Sequence, residues 1–292
     1  MVDRLKYLKK AEALGQEEVR DILLKARDKL DAKIIRSAKK SNFVSAAYVR
    51  DNLYKQLEKE YVSLNGDIET WKVARSTAIA KEWRDFAIED LPKGSYNQTW
   101  DQFDKKYMTD ITERIAPSQG YKLAAVNSKL GGMLAQDIDF LRNSVIDVNR
   151  LASVTGMTAG QKTRAMRDKV LEERPSWSFI DSAGKTWETD NYFKMLNKTV
   201  SAGVARSAYE DTMTEAGYDL AKVVSHGGSS CEICNKWNGK IVSVTGANKD
   251  YPKLSDAEDE GLFHPNCACY LAVVTKDELA ALESNKTNVT AG

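Results

Sequence analysis

Between residues 226 and 269 the chain gathers all of its thiol and imidazole side chains. Cys231, Cys234, Cys267 and Cys269 are its four cysteines, and His226 and His264 its two histidines. They form two close groups, Cys231-Glu232-Ile233-Cys234 and His264-Pro265-Asn266-Cys267-Ala268-Cys269. Thiolate sulfur and imidazole nitrogen are the donors zinc prefers, and two close pairs meeting across a loop complete a tetrahedron. The Cys-x-x-Cys spacing turns both sulfurs toward one centre. Cys267 and Cys269, two residues apart at the opening of a strand, project to one side. His264 reaches the same point within a turn.

Five donors therefore compete for four places. The expected set is Cys231, Cys234, Cys267 and Cys269, with His264 as an alternative fourth ligand or as a partner behind the ligands. Four protein ligands leave no open water position, so one structural zinc ion is expected rather than a catalytic one. Idle thiols and a redox Cys-x-x-Cys are the competing readings. A redox pair opens a helix in a thioredoxin-like βαβ unit, and no such unit is read here. His226 reads as a hydrogen-bonded residue at a strand end, and Trp187 and Trp237 as core of a small domain.

The elements around this knuckle divide the chain. A length of 292 residues suits about two domains, and 42% hydrophobic with 29% charged residues fits a globular protein. The spacing predicts a helix over 17–40 with Val19, Ile22, Leu23, Ala26, Leu30 and Ile34 on one stripe. A second is predicted over 44–64, broken by Asn65-Gly66-Asp67, and a third from Asp67 to Leu91-Pro92. A shorter helix is predicted from Thr99 to Pro117. A long one follows over 121–151, bent or closely crossed at Gly131-Gly132, then a polar, basic one over 158–173. A hairpin of 176–180 and 185–187 follows, then a helix over 189–216 stopped by Gly217. Strands are expected at 220–224, 240–244 and 270–275, a helical turn at 255–260, a helix at 276–283 and a loose tail beyond. The fold class is mainly α: a long-helix region over 1–150, then a small α+β zinc-binding domain over 151–283 with its knuckle at 226–269, and a tail at 284–292.

Charge and hydropathy restrict the function classes. No apolar run approaches the ~20 residues that span a bilayer. Arg4, Lys6, Lys9 and Lys10 are followed by no apolar core, so no secretory signal is expected. Cysteines without such a signal suit a reducing compartment, where metal ligation is favoured over disulfides. Net charge is +1, which does not suit a generic polyanion binder; residues 1–60 nevertheless carry 15 Lys/Arg against 10 Asp/Glu. Solvated helix faces of mixed sign explain that bias most simply, and contact with nucleic acid is the alternative.

Cys231-x-x-Cys234, Trp237-Asn238-Gly239-Lys240-Ile241, Tyr251-Pro252 and Gly261-Leu262-Phe263-His264-Pro265-Asn266-Cys267-x-Cys269 together resemble the tailed-phage minor capsid, or Mu F-like head-morphogenesis, family. Asp181-Ser182-Ala183-Gly184-Lys185-Thr186-Trp187 ahead of Tyr192-Phe193-Lys194-Met195 is similar to the block that precedes that signature. The resemblance covers about 150–275. Members commonly close the signature with Cys-Arg-Cys or Cys-Arg-His, where this chain has Cys267-Ala268-Cys269, and often have Arg-Thr where it has Lys198-Thr199. The tolerance of Cys or His at position 269 supports counting Cys269 as a ligand.

The resemblance implies a virion protein made in the host cytoplasm and held in few copies inside the head near the portal. It would assist assembly, DNA packaging or ejection. Implied partners are the portal protein, capsid or scaffolding protein, further copies of the chain and, through residues 1–60, packaged DNA. Some relatives carry an extra C-terminal toxin or enzyme domain; about twenty residues follow the last expected strand here, so none is expected. Two other classes compete. One is a zinc-dependent nuclease or peptidase with three protein ligands and Glu232 or Asp250 as base; it lacks a His-Glu-x-x-His element. The other is a zinc-stabilised DNA-binding module, which the acidic run Asp256–Glu260 beside the knuckle disfavours.

Overall fold

The computed structural model describes residues 4–39, 54–99, 102, 123–174, 178–180, 186–225, 231–264, 267 and 269–281. Its elements are α1 (Arg4–Lys39), α2 (Tyr54–Asp90), α3 (Leu123–Thr155), α4 (Ala159–Glu172), β1 (Ser178–Ile180), β2 (Thr186–Glu188), α5 (Thr189–Glu215), β3 (Leu220–Val224), α6 (Glu232–Trp237), β4 (Ile241–Ser243), α7 (Leu254–Asp259) and β5 (Tyr270–Val273). Backbone contacts sort the chain into two units, Met1–Gly15 with Val73–Tyr121 and Met195–Gly292, and Gln16–Lys72 with Lys122–Lys194.

The second unit is helical, and its buried residues follow a strict rhythm. Val19, Leu23, Ala26 and Leu30 on α1, Leu57, Tyr61, Leu64 and Ile68 on α2, and Leu134, Ile138, Leu141, Val145, Val148 and Ala152 on α3 alternate steps of four and three. That alternation keeps one narrow seam facing a partner helix, as in a coiled coil. Met166 and Val170 of α4 are also buried. Thr158 caps α4 in a reciprocal box with Gln161, which satisfies two orphan amide groups. Just past α4, Arg174 holds the buried Asp137 carboxylate with Nε at 2.9 Å and Nη2 at 2.5 Å, and also pairs with Asp31. The Tyr61 hydroxyl donates to the same carboxylate at 2.8 Å. β1 and β2 form the expected hairpin, with Phe179 opposite Trp187.

Two helix boundaries depart from the sequence reading. The predicted break at Asn65-Gly66-Asp67 does not occur, and α2 runs through it. Leu64 and Ile68, 1% and 2% exposed, flank the break on the seam, and their burial outweighs the roughly 1 kcal/mol a helical glycine costs. α1 begins at Arg4 rather than Glu17, because Leu8 and Ala11 extend its buried stripe toward the N-terminus. No described atom lies within 4 Å of a Cβ built at Gly131 or Gly132, so the expected close crossing is not seen among the described residues. The helix predicted from Thr99 to Pro117 falls almost wholly outside the described residues, as do the start of the 44–64 helix, His226 and the tail.

The first unit carries the sheet. β3 lies between β4 and β5, antiparallel to both, and Ala221 of β3 faces Val242 on one side and Val273 on the other. Ala221 and Val223 are fully buried while Lys222 between them points out, the period-two alternation of a one-faced sheet. Trp83 of α2 packs edge-on against Phe86, Tyr209 and Tyr270, with ring centroids 5.8, 6.4 and 5.9 Å away. The Asp90 carboxylate receives Arg4 Nη2 and the Tyr209 hydroxyl, each at 2.5 Å. α5 stops at Gly217, whose φ of +84° lets Tyr218 N–H reach back to the Met213 carbonyl at 2.9 Å. Gly15 meets Asn197 so closely that a Cβ there would sit 2.6 Å from its Oδ1.

Candidate metal centre

Three pieces of chain bring the cysteines together. β3 leads toward Cys231, the last turn before β5 supplies Cys267 and Cys269, and α7 with Gly261 delivers His264. The first pair does more than turn tightly: Cys231 is the N-cap of α6, and its sulfur accepts the Cys234 N–H at 3.5 Å. This six-residue helix was not expected from the sequence. Trp237 closes it, buried, with its indole N–H on Glu260 at 2.8 Å. Lys236 reaches the same carboxylate at 2.6 Å, and the Lys240 ammonium lies 5.0 Å from the Trp237 ring centre. Trp237 thus belongs to the core, as expected; the side chain of Trp187 lies outside the described residues.

The turn into the second group needs an unusual backbone. Gly261 has φ +99°, and a Cβ there would lie 3.0 Å from Ile233 Cδ1, between the two cysteines of the first pair. Phe263 adopts φ +62°. These two left-handed residues turn the chain so that His264 Nε2 comes within 3.5 Å of Cys234 Sγ. Cys234 Sγ is also 3.6 Å from Cys267 Sγ, well beyond the ~2.05 Å of a disulfide. Cys269 N–H donates to Cys267 Sγ at 3.4 Å.

The five candidate ligands form two overlapping groups. Cys231, Cys234 and His264 make one, and Cys234, Cys267 and Cys269 the other; within each, all ligand atoms lie within 4.8 Å of one another. Cys234 is common to both. Among the described residues no carboxylate joins either group, and Glu232 and Asp250 are exposed.

Charge is divided unevenly across the sulfurs. The Cys234 amide and the His264 side chain hold the Cys231 thiol below its ordinary pKa. Hydrogen bonding from Cys269 brings Cys267 down to about 5. Sharing with Cys267 and burial push Cys269 up, and burial, with the Cys231 contact, pushes Cys234 up to about 12. Without a cation, Cys267 is the sulfur held most strongly as a thiolate, while Cys234 and Cys269 keep protons that a divalent ion would displace. The donor set fits zinc: four sulfurs and one imidazole, with Cys234, Cys267 and Cys269 buried and amide N–H groups aimed at the Cys231 and Cys267 sulfurs.

Two supporting residues escaped the sequence reading. Asp219 organises the loop after β4, accepting Ser243 Oγ at 2.5 Å, Thr245 N–H at 2.8 Å and Asn248 N–H at 3.1 Å. Burial opposes its charge, but these bonds outweigh it and hold the carboxyl below its usual range. Arg206 is a buried cation in the small apolar run Ala202-Gly203-Val204-Ala205-Arg206-Ser207-Ala208. A lone charge in such a run was the signal for it.

No helix among the described residues is long and apolar enough to cross a membrane. No curated protein and no solved structure matches the chain. The family profile described as phage minor capsid protein 2 matches residues 130–280, just over half the chain, and that span contains the whole cysteine cluster. The chain belongs to the phage minor capsid protein 2 family, a structural family of the phage head.

Proposed function

We propose that the chain is a low-copy structural component inside the phage head near the portal, clipped in its C-terminal region by one zinc ion. The carrying observation is the convergence of Cys231, Cys234, Cys267, Cys269 and His264 inside the family-matched span. The favoured ligand set is the four cysteines, with His264 beside Cys234 as the alternative fourth donor. Such an ion acts as a staple: it joins α6 to the start of β5, two short elements with few residues of their own to bury. Structural zinc contributes on the order of 10 kcal/mol in small domains.

Residues 1–150 are assigned to contacts with the portal protein, capsid or scaffolding protein, or other copies, and the basic bias of 1–60 to packaged DNA. Through these contacts the chain would assist assembly, packaging or ejection. A hydrolase reading needs an open coordination position and a base. Five soft donors crowd the site, and exposed Glu232 and Asp250 stand outside both donor groups. A DNA-binding knuckle is disfavoured by the acidic segment Asp256–Glu260 beside it, whose Glu260 pairs with Lys236.

The test is capture of the full chain by the cognate portal protein, together with its co-sedimentation with heads. Its presence in purified virions in a few copies is expected. Its absence from purified virions overturns the reading.

A further inference from the structure

Arg206 lies in the middle of α5 at 5% exposure, and its Nη1 has no hydrogen-bond partner among the described residues. Leaving a guanidinium in that state costs several kcal/mol unless anions surround it. Its carbon stands 4.0 Å from the centre of the Phe263 ring, the left-handed residue just before His264. Burial pulls its pKa below the ordinary value, and the charges of Glu210, Cys267, Glu258 and Cys269 act against that through space.

Charge counting says what such a cation is for. A divalent ion bound by four thiolates leaves the site at net −2, and by three thiolates and an imidazole at net −1. Either is expensive in a buried pocket of low dielectric constant. A guanidinium stacked on Phe263, which shares one buried cluster with Cys234, Cys267 and Cys269, offsets one unit of that charge. Arginine suits the place because it stays protonated when buried and its flat face stacks on an aromatic ring.

We propose that Arg206 is a positioning residue for the metal centre: a buried counter-charge, held flat on Phe263, that makes an anionic thiolate-rich zinc site affordable in the core. The inference rests on the metal reading above and goes beyond it by assigning a residue outside the knuckle.

The test compares the full wild-type chain with Arg206→Met and Arg206→Lys. Zinc affinity is measured by competition with a chromogenic chelator, and the thiolate-to-cobalt absorption of the cobalt-loaded chain reports how many sulfurs bind. Arg206→Met keeps similar length and apolar contact with Phe263 but not the charge. It should weaken zinc about ten-fold or more, in the range seen for residues behind metal ligands, with the cobalt spectrum unchanged. Arg206→Lys should lose less than about ten-fold, because charge is retained. If Arg206 instead serves only Glu210 and Glu258, both forms of the protein lose stability alike and zinc affinity stays within about ten-fold for the methionine variant, which overturns the proposal. Should Arg206→Met fail to fold, the lysine variant decides: a loss of about ten-fold or more overturns the counter-charge role. A wild-type chain that takes up neither zinc nor cobalt defeats the metal reading itself, a separate outcome.

Discussion

Removing one oxygen, in Tyr209→Phe, tests how β5 and the cysteine pair at its start are fixed to the helices. The Tyr209 hydroxyl donates to Asp90 Oδ2 at 2.5 Å and accepts the Val273 N–H of β5 at 2.9 Å. The substitution keeps the ring against Trp83 and deletes both bonds. A hydrogen bond to a carboxylate contributes about 1.5–3 kcal/mol, and a buried N–H left without an acceptor costs about 1–3 kcal/mol. Asp90 keeps its Arg4 partner, so part of the first loss is recovered. The expected destabilisation is therefore about 2–4 kcal/mol. Urea unfolding followed by tryptophan fluorescence, with metal occupancy held constant, measures it. Asp90→Asn and the double variant complete a cycle, in which a coupling of about 0.5–3 kcal/mol is expected. Burial and the Asp90 charge both raise the pKa of Tyr209. Its contribution is thus complete below the unfolded phenol pKa of about 10 and lost only as pH rises beyond it. A Tyr209→Phe protein within about 0.5 kcal/mol of wild type would show that the hydroxyl does not bridge α5, α2 and β5.

The other outcomes concern single contacts. Asp137→Asn removes half of a buried ion pair with Arg174 and should cost about 3–5 kcal/mol in thermal or urea unfolding. Asp219→Asn tests the acid limb of stability. Because the folded carboxyl sits below its unfolded value, its contribution is present above about pH 4 and lost as pH falls through the folded pKa. The variant should therefore lose stability at neutral pH and show a flatter decline in acid. Gly261→Ala forces φ +99° on a residue with a side chain and presses Ile233, so a loss of about 1–3 kcal/mol and weaker metal binding are expected by calorimetry.

The parts of the fold that were legible in the sequence are those set by repeated apolar spacing. The seam on α1 lies where the four-three period put it, and the three strands of the sheet lie where they were expected. What misled was local chemistry overruled by packing. Asn65-Gly66-Asp67 is a turn signal in isolation, yet Leu64 and Ile68 need the same seam on both sides of it. The N-terminal turns of α1 were hidden because the stripe from Ala11 to Val19 passes through Gly15, a residue that disfavours helix. At the site, the candidate donors could be named from the sequence because few residue types bind zinc, and the structure brings them into two overlapping groups. The geometry around them could not be read that way. That Cys231 caps a helix, that Phe263 turns left-handed and that Arg206 stacks on Phe263 all depend on contacts between residues far apart in the chain.

The most direct measurement is the zinc content of the full chain purified without added metal, taken alongside Cys269→Ala and His264→Ala. The account predicts about one zinc per wild-type chain, retained in His264→Ala and lost in Cys269→Ala. A wild-type chain that carries no zinc, or a pattern in which His264→Ala loses the ion while Cys269→Ala keeps it, would contradict the account.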